Sequence, residues 1–331
     1  MNAYRYLNKL IVILGLMTLN LSACSYIELS DNGVKISSKL TQVERFLDDV
    51  QFISKMPRTP ETTHHKNVQK MCADRFRQLG FQVEYHHYGT GTNIIGIYPG
   101  KQKPAEQIMI SAHYDTVPNC NGADDNASGV AGVFETARLL VSKEHKRTLL
   151  VACWDEEERK VLGSKAYVRR EKNKATNIKM SYVYEMIGYK ENHKNSQQIP
   201  IGFERLYPQQ VKQISDNKNR GDFIALIYDD LASSLLPMIS LHAEKQGLPI
   251  LQFKVGSQLK RLPVAADLRR SDHSAFWDED YPAMMITDTA NFRNQHYHCI
   301  NAEDNVQSLD ATFAIKTINT ISKTIEDNLN R

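Results

Sequence analysis

The sequence predicts an α/β fold, a single large domain whose mixed or parallel sheet is covered by helices on both faces. Three observations predict it. Short apolar runs of strand length alternate with segments of helical periodicity from about Val43 to the C-terminus. The chain has 331 residues with 41% hydrophobic content, ample for one sizeable core. It carries no internal repeat and no low-complexity tract that would mark a second unit.

The elements follow in order. Val43, Phe46, Leu47, Val50 and Ile53 share one face of a first helix. Val68, Cys72, Phe76 and Leu79 mark a second, and Gly80 supplies its stop. Strands are expected at Phe81 to Tyr85, Asn93 to Tyr98 and Gln107 to Ala112. A helix from about Ser128 to Val141 leads to the strand Thr148 to Trp154. Further strands are expected at Tyr182 to Tyr184, Phe223 to Tyr228, Ile250 to Val255 and Ala283 to Thr287, before a last helix from about Ser308 to Leu329. Between them, Lys190 to Arg220 is rich in Lys, Asn and Gln and reads as a surface excursion near the site.

The N-terminus is different in kind. Arg5 and Lys9 precede an apolar stretch from Leu10 to Leu21, too short to span a bilayer but laid out like a signal peptide. Leu21-Ser22-Ala23-Cys24 resembles the lipobox of bacterial lipoproteins, which makes Cys24 the expected lipid attachment site. The expected organisation is a signal peptide over 1–23, a polar tether over 24–41 and a single folded domain over 42–331. The protein is then exported and held by lipid to a bacterial membrane, facing the periplasm or cell exterior. Cys120 and Cys299 each stand near a candidate metal ligand and could pair there, while Cys153 reads as a buried thiol. A net charge of +3, from 41 basic and 38 acidic residues, gives no electrostatic case for nucleic acid.

Chemistry gathers where apolar runs end. Ser111-Ala112-His113-Tyr114-Asp115 ends one strand, with His113 able to bind a metal and Asp115 placed to orient it from behind. In Gly122-Ala123-Asp124-Asp125-Asn126-Ala127-Ser128-Gly129, the paired aspartates suit either a helix start or a bridge between two cations. Trp154 runs into Asp155-Glu156-Glu157-Glu158, and carboxylates so crowded repel one another unless a cation intervenes. Glu185 follows another strand, and His296-Tyr297-His298 precedes Glu303-Asp304.

In this order the motifs resemble the family of co-catalytic zinc aminopeptidases that includes bacterial leucyl aminopeptidase and glutaminyl cyclase. The resemblance runs from about Thr41 to the C-terminus and takes in Ser271-Asp272-His273 as well. It implies a three-layer α/β/α domain with a central mixed, mostly parallel sheet, and a peptide substrate. It also implies two zinc ions: Asp125 bridging both, His113 and Glu185 completing one site, Glu158 and His298 the other. Glu157 matches the general base, Asp115 the acid behind His113, and Asp272 and His273 a segment lining the substrate pocket. Tyr297 joins the substrate-facing residues, and Asp304 braces the loop of His298. The implied reaction is hydrolysis of the N-terminal peptide bond by a zinc-activated water. Relatives carry Asp where this chain has Glu185, one methylene longer, so the ion on the His113 side is expected to be the weaker. The alternatives are a one-zinc glutaminyl cyclase-like aminoacyltransferase, a non-enzymatic binding domain on the same fold, and a carboxypeptidase in which Arg293 holds a substrate carboxylate.

Overall fold

The computed structural model describes residues 26–30, 33–37 and 40–331. The expected signal peptide and Cys24 lie outside the described residues. Earlier in the chain, β1 (Tyr26–Ser30) and β2 (Gly33–Ser37) pair antiparallel, so the expected tether contains two paired strands.

Gln42–Arg331 form one compact unit. It runs through α1 (Gln42–Ile53), α2 (Thr63–Gln78), β3 (Gln82–Tyr88), β4 (Gly91–Tyr98), β5 (Lys103–His113), α3 (Gly129–Leu140), β6 (Arg147–Trp154), α4 (Leu162–Asn173) and β7 (Asn177–Glu185). It continues through α5 (Phe203–Leu206), α6 (Pro208–Asp216), β8 (Ile224–Asp229), α7 (Leu236–Gln246), β9 (Ile250–Val255), α8 (His273–Asp278), β10 (Ala283–Thr287) and α9 (Ala311–Leu329).

Strands β3 to β10 make one sheet in the order β3-β4-β6-β5-β7-β10-β8-β9. The pairs β6–β5, β5–β7, β7–β10 and β8–β9 are parallel, and the other three are antiparallel. This is the mixed, mostly parallel sheet of the expected three-layer fold.

The apolar runs are continuous because both faces of the sheet are covered. Side chains alternate at period two, so Leu149, Val151 and Cys153 enter one core while Leu150, Ala152 and Trp154 enter the other. The first core adds Phe46 and Val50 of α1, Phe134 of α3 and Ile318 and Ile321 of α9. The second adds Tyr167 and Val168 of α4 and Phe276 and Trp277 of α8. Each fully buried large apolar side chain contributes about 1.5–3 kcal/mol, so the two cores dominate stability.

The fold also sets the place of chemistry. Parallel register puts His113 of β5 beside Trp154 of β6, and Thr287 of β10 beside Glu185 of β7. The carboxyl ends of β5, β6, β7 and β10 therefore open on the same side of the sheet, where crossover loops leave a crevice.

Candidate metal centre

Each candidate ligand leaves a strand end or a braced loop. His113 is the last residue of β5 and Glu185 the last of β7. Asp125 sits in the turn before α3, and its peptide bond to Asn126 is cis. Asn126 accepts from the Met186 and Gly129 amides and donates to the Tyr184 carbonyl, tying this turn to the end of β7. Asp304 accepts the amides of Asp124 and Asp125, each at 2.9 Å. A Cβ on Gly122 would lie 2.0 Å from the Asp125 carbonyl oxygen, so only glycine fits there.

The acidic run divides by direction. Asp155 turns back to His65 Nε2 at 2.7 Å, and Glu156 is buried against Arg159. Glu157 and Glu158 line the cleft, their amides held by Asp115 at 3.0 and 3.2 Å. Asp115 also lies 3.4 Å from His113 Nδ1, so one carboxylate backs both the imidazole and the loop. His298 itself adopts φ 54°, as do Glu156 and, at 53°, Met186, which flank Glu157 and Glu185. Non-glycine residues at positive φ cost energy and cluster at functional sites.

The ligand atoms converge on two points sharing Asp125. Its Oδ1 lies 3.3 Å from His113 Nε2, which is 3.5 Å from Glu185 Oε2. Its Oδ2 lies 3.3 Å from His298 Nε2, which is 3.3 Å from Glu158 Oε2. A disulfide joins Cys120 to Cys299, tying the loop ahead of Asp125 to the residue after His298.

Titration behaviour follows from crowding. Burial alone would lower His113, but Glu185, Asp115 and Asp125 overcome it and hold the imidazole well above its ordinary range. Burial likewise opposes a charged His298, and Asp125 and Glu158 raise it to about 10. Burial favours a neutral Asp125, yet the two imidazoles hold it well below the usual carboxylate range. Burial, with the Asp125 charge, pushes Glu158 up to about 7. Burial and neighbouring carboxylates put Glu157 well above its ordinary value. This is a cage of negative charge that asks for cations.

Residues 93–224 match Peptidase family M28. That is the family to which the motifs pointed. The matched segment holds His113, Asp125, Glu157, Glu158 and Glu185, while His298 lies beyond it. The Escherichia coli protein YfbL is 31% identical over 226 residues, 63% of this chain and 63% of that relative, so the match spans just under two thirds of its length. The LapA aminopeptidase of Legionella pneumophila superposes with a TM-score of 0.66 at 17% identity, covering 87% of this chain and 72% of that one. BSAP, a zinc aminopeptidase from Bacillus subtilis, gives 0.63 at 14% identity, covering 87% and 95%. These two likenesses are likenesses of fold.

The remaining candidates fall in different places. Tyr297 stacks on His298 and lines the cleft. Asp272 and His273 are fully buried, and the neighbouring Ser271 and Ser274 line the cleft instead. Ser271 lies just before α8 and Ser274 in its first turn, while His273 turns inward and bonds the Leu268 carbonyl through Nε2. Arg293 does not reach the cleft either. It is buried and donates to Gln197, Tyr189 and Phe223, which leaves no fork for a substrate carboxylate.

Sequence reasoning passed over Arg58, which has no motif around it. It is fully buried and donates to the carbonyls of Ile53, Tyr114, Asn121, Gly122 and Asp125. It passed over the role of Ser271, whose hydroxyl donates to Glu185 Oε2 at 2.7 Å. It also gave no pocket. An apolar cavity opens beside Glu185 and Tyr297, lined by Ile199, Phe203, Phe223, Ile227, Phe253 and Met285. Ile199 and Phe203 come from the Lys190 to Arg220 excursion.

Proposed function

We propose that the chain is a metallo-aminopeptidase that holds two zinc ions and hydrolyses the N-terminal peptide bond of its substrate. The observation that carries this reading is Asp125, whose two carboxylate oxygens face two separate pairs of one imidazole and one carboxylate. Two ligand atoms about 2.0–2.1 Å from a tetrahedral ion stand roughly 3.3–3.4 Å apart. The four separations here run from 3.3 to 3.5 Å, long for charged hydrogen bonds and right for ligands of a shared cation. The donor set of imidazoles and carboxylates without thiolate suits zinc and also admits manganese or cobalt.

His113, Asp125 and Glu185 would hold one ion, and Asp125, Glu158 and His298 the other. Bound there, zinc supplies Lewis acidity, which activates water and polarises a carbonyl. Glu157 faces the cleft beside His113 and Glu158 and takes a proton from the attacking water, then delivers it to the departing amine. Asp115 fixes both the ligand His113 and the loop of Glu157. The apolar cavity beside Glu185 receives the side chain of the first residue, which favours bulky apolar amino acids there.

The same reading includes export and lipid attachment at Cys24. It is supported by the leader-like N-terminus and by the Cys120–Cys299 disulfide, which persists in oxidising compartments. A mature N-terminus at Met1, by mass spectrometry, would rule it out.

Zinc content at saturation, with hydrolysis of peptides bearing free or acetylated N-termini, tests the main reading. Two zinc equivalents and cleavage only of free N-termini are expected. A ceiling of one equivalent, with ammonia loss from glutaminyl peptides and no shortening, would replace it with the cyclase reading.

A further inference from the structure

We infer that the cleft selects peptides carrying a carboxylate just beyond the scissile bond, an inference that rests on the aminopeptidase reading above. Four carboxylates line the cleft, Asp125, Glu157, Glu158 and Glu185, and two divalent ions would offset those four charges. Lys160, Lys165, Arg269 and Arg270 line the same cleft, against one further acid, Asp278.

Only one of the four cations is neutralised closely. Arg269 donates to Asp278 at 2.6 Å. Lys165 donates to the Lys160 carbonyl, a neutral acceptor. Arg270 donates to Asn291 and to the Tyr297 hydroxyl, and its nearest carboxylate, Asp267, is 3.7 Å away. The Lys160 ammonium has no partner among the described residues, and the residue is exposed. Lys160 and Lys165 therefore face the cleft without a counterion among the described residues, and Arg270 has only the longer pair with Asp267.

Their position relative to the other cavity gives them meaning. Glu185, Arg270 and Tyr297 line both the apolar cavity and the cleft, so the two meet at the metal centre. With the first side chain in the apolar cavity, the rest of the peptide leaves along the cleft, past Lys160 and Lys165. A carboxylate there gains from field lines concentrated in a crevice. Two sources share this chemistry: the terminal carboxylate of a dipeptide, and the side chain of Asp or Glu as second residue.

The test compares kcat/KM for Leu-Ala with Leu-Ala-amide, and for Leu-Asp-amide with Leu-Asn-amide, on the zinc-loaded protein. A roughly tenfold preference for the carboxylate partner is expected, falling several-fold in high salt as screening sets in. The double variant Lys160→Gln, Lys165→Gln should bring the ratio towards one. A preference confined to the first pair assigns the site to short free peptides; one confined to the second assigns it to acidic second residues. Equal rates within both pairs, or a ratio that the double variant leaves unmoved, would overturn the inference while the aminopeptidase reading stands. If none of the four is cut, that reading fails and takes this inference with it.

Discussion

Ser271 donates its hydroxyl to Glu185 Oε2 at 2.7 Å, the same carboxylate oxygen that lies 3.5 Å from His113 Nε2. The longer side chain of Glu185 is thus held by a partner on a different element, at the entry to α8. Such outer partners tune metal affinity by about 10–100-fold. Ser271→Ala should weaken the ion on the His113 side by about tenfold and leave the His298 side unchanged. Competition with a chromogenic chelator reads the two steps separately. Identical titrations for variant and parent would show that Ser271 does not hold the ligand.

Arg58 is an organising cation rather than an ion-pair partner. Burial lowers it to about 10, so it stays protonated at neutral pH, and it satisfies carbonyls from α1 and from the loops of Asp115 and Asp125. Arg58→Met removes every donor and leaves those carbonyls buried. The Ile53 carbonyl keeps His64 Nε2 and the Gly122 carbonyl keeps the Ala127 amide, so with about 1–3 kcal/mol for each carbonyl left unpaired a loss on the order of 3–5 kcal/mol in urea unfolding is expected. A loss under 1 kcal/mol would mean water replaces the guanidinium.

The candidate ligands that follow strands were legible because strand ends announce themselves. An apolar run breaks at His113, at Trp154 and at Glu185, and the next polar residue falls into the crevice. Arg58 was not legible, since its partners are backbone carbonyls, which leave no trace in side-chain pattern. Helix α4 was missed because Lys165, Arg169, Arg170 and Lys172 dilute its apolar face to Tyr167 and Val168. The pocket was hidden for a related reason. Ile199, Phe203 and Ile214 are scattered through a polar segment, and only the fold gathers them beside Glu185. The burial of Asp272 and His273 depends on how the chain enters a six-residue helix, which so short a stretch does not reveal.

His86 on β3 gives the protein an acid-sensitive point outside the candidate metal centre. It accepts from Asn93 Nδ2 at 3.0 Å, and Asn93 also bonds the Asp155 amide and the Gly163 carbonyl. Burial, then the Arg170 charge, holds His86 at about 4. Unfolded, it titrates near 6.5, so between those values the unfolded chain binds more protons and stability falls as pH falls. The loss from pH 7 to pH 5 is on the order of 2 kcal/mol for this group. His273, held at about 3 by burial, adds to the same slope, so the contribution of His86 is read by difference. His86→Gln should lose less stability than the parent over that interval in urea unfolding. Parallel slopes would remove His86 from the account.

Glu157 decides whether this centre does chemistry or only binds metal. It lines the cleft, its amide is fixed by Asp115, and it belongs to neither of the two ligand sets that share Asp125. Glu157→Gln keeps the shape and removes the ability to take a proton. The ligands of both ions remain, so zinc stoichiometry should stay at two equivalents. Turnover should fall at least about 100-fold, the usual contribution of a positioned general base. The loss should appear in kcat more than in KM, because the group acts on the transition state and not on substrate binding. A variant that loses zinc together with activity would instead make Glu157 a ligand, consistent with its place beside His113 and Glu158. A zinc-loaded variant with near-parental kcat would remove Glu157 from the mechanism and leave the proton to another group.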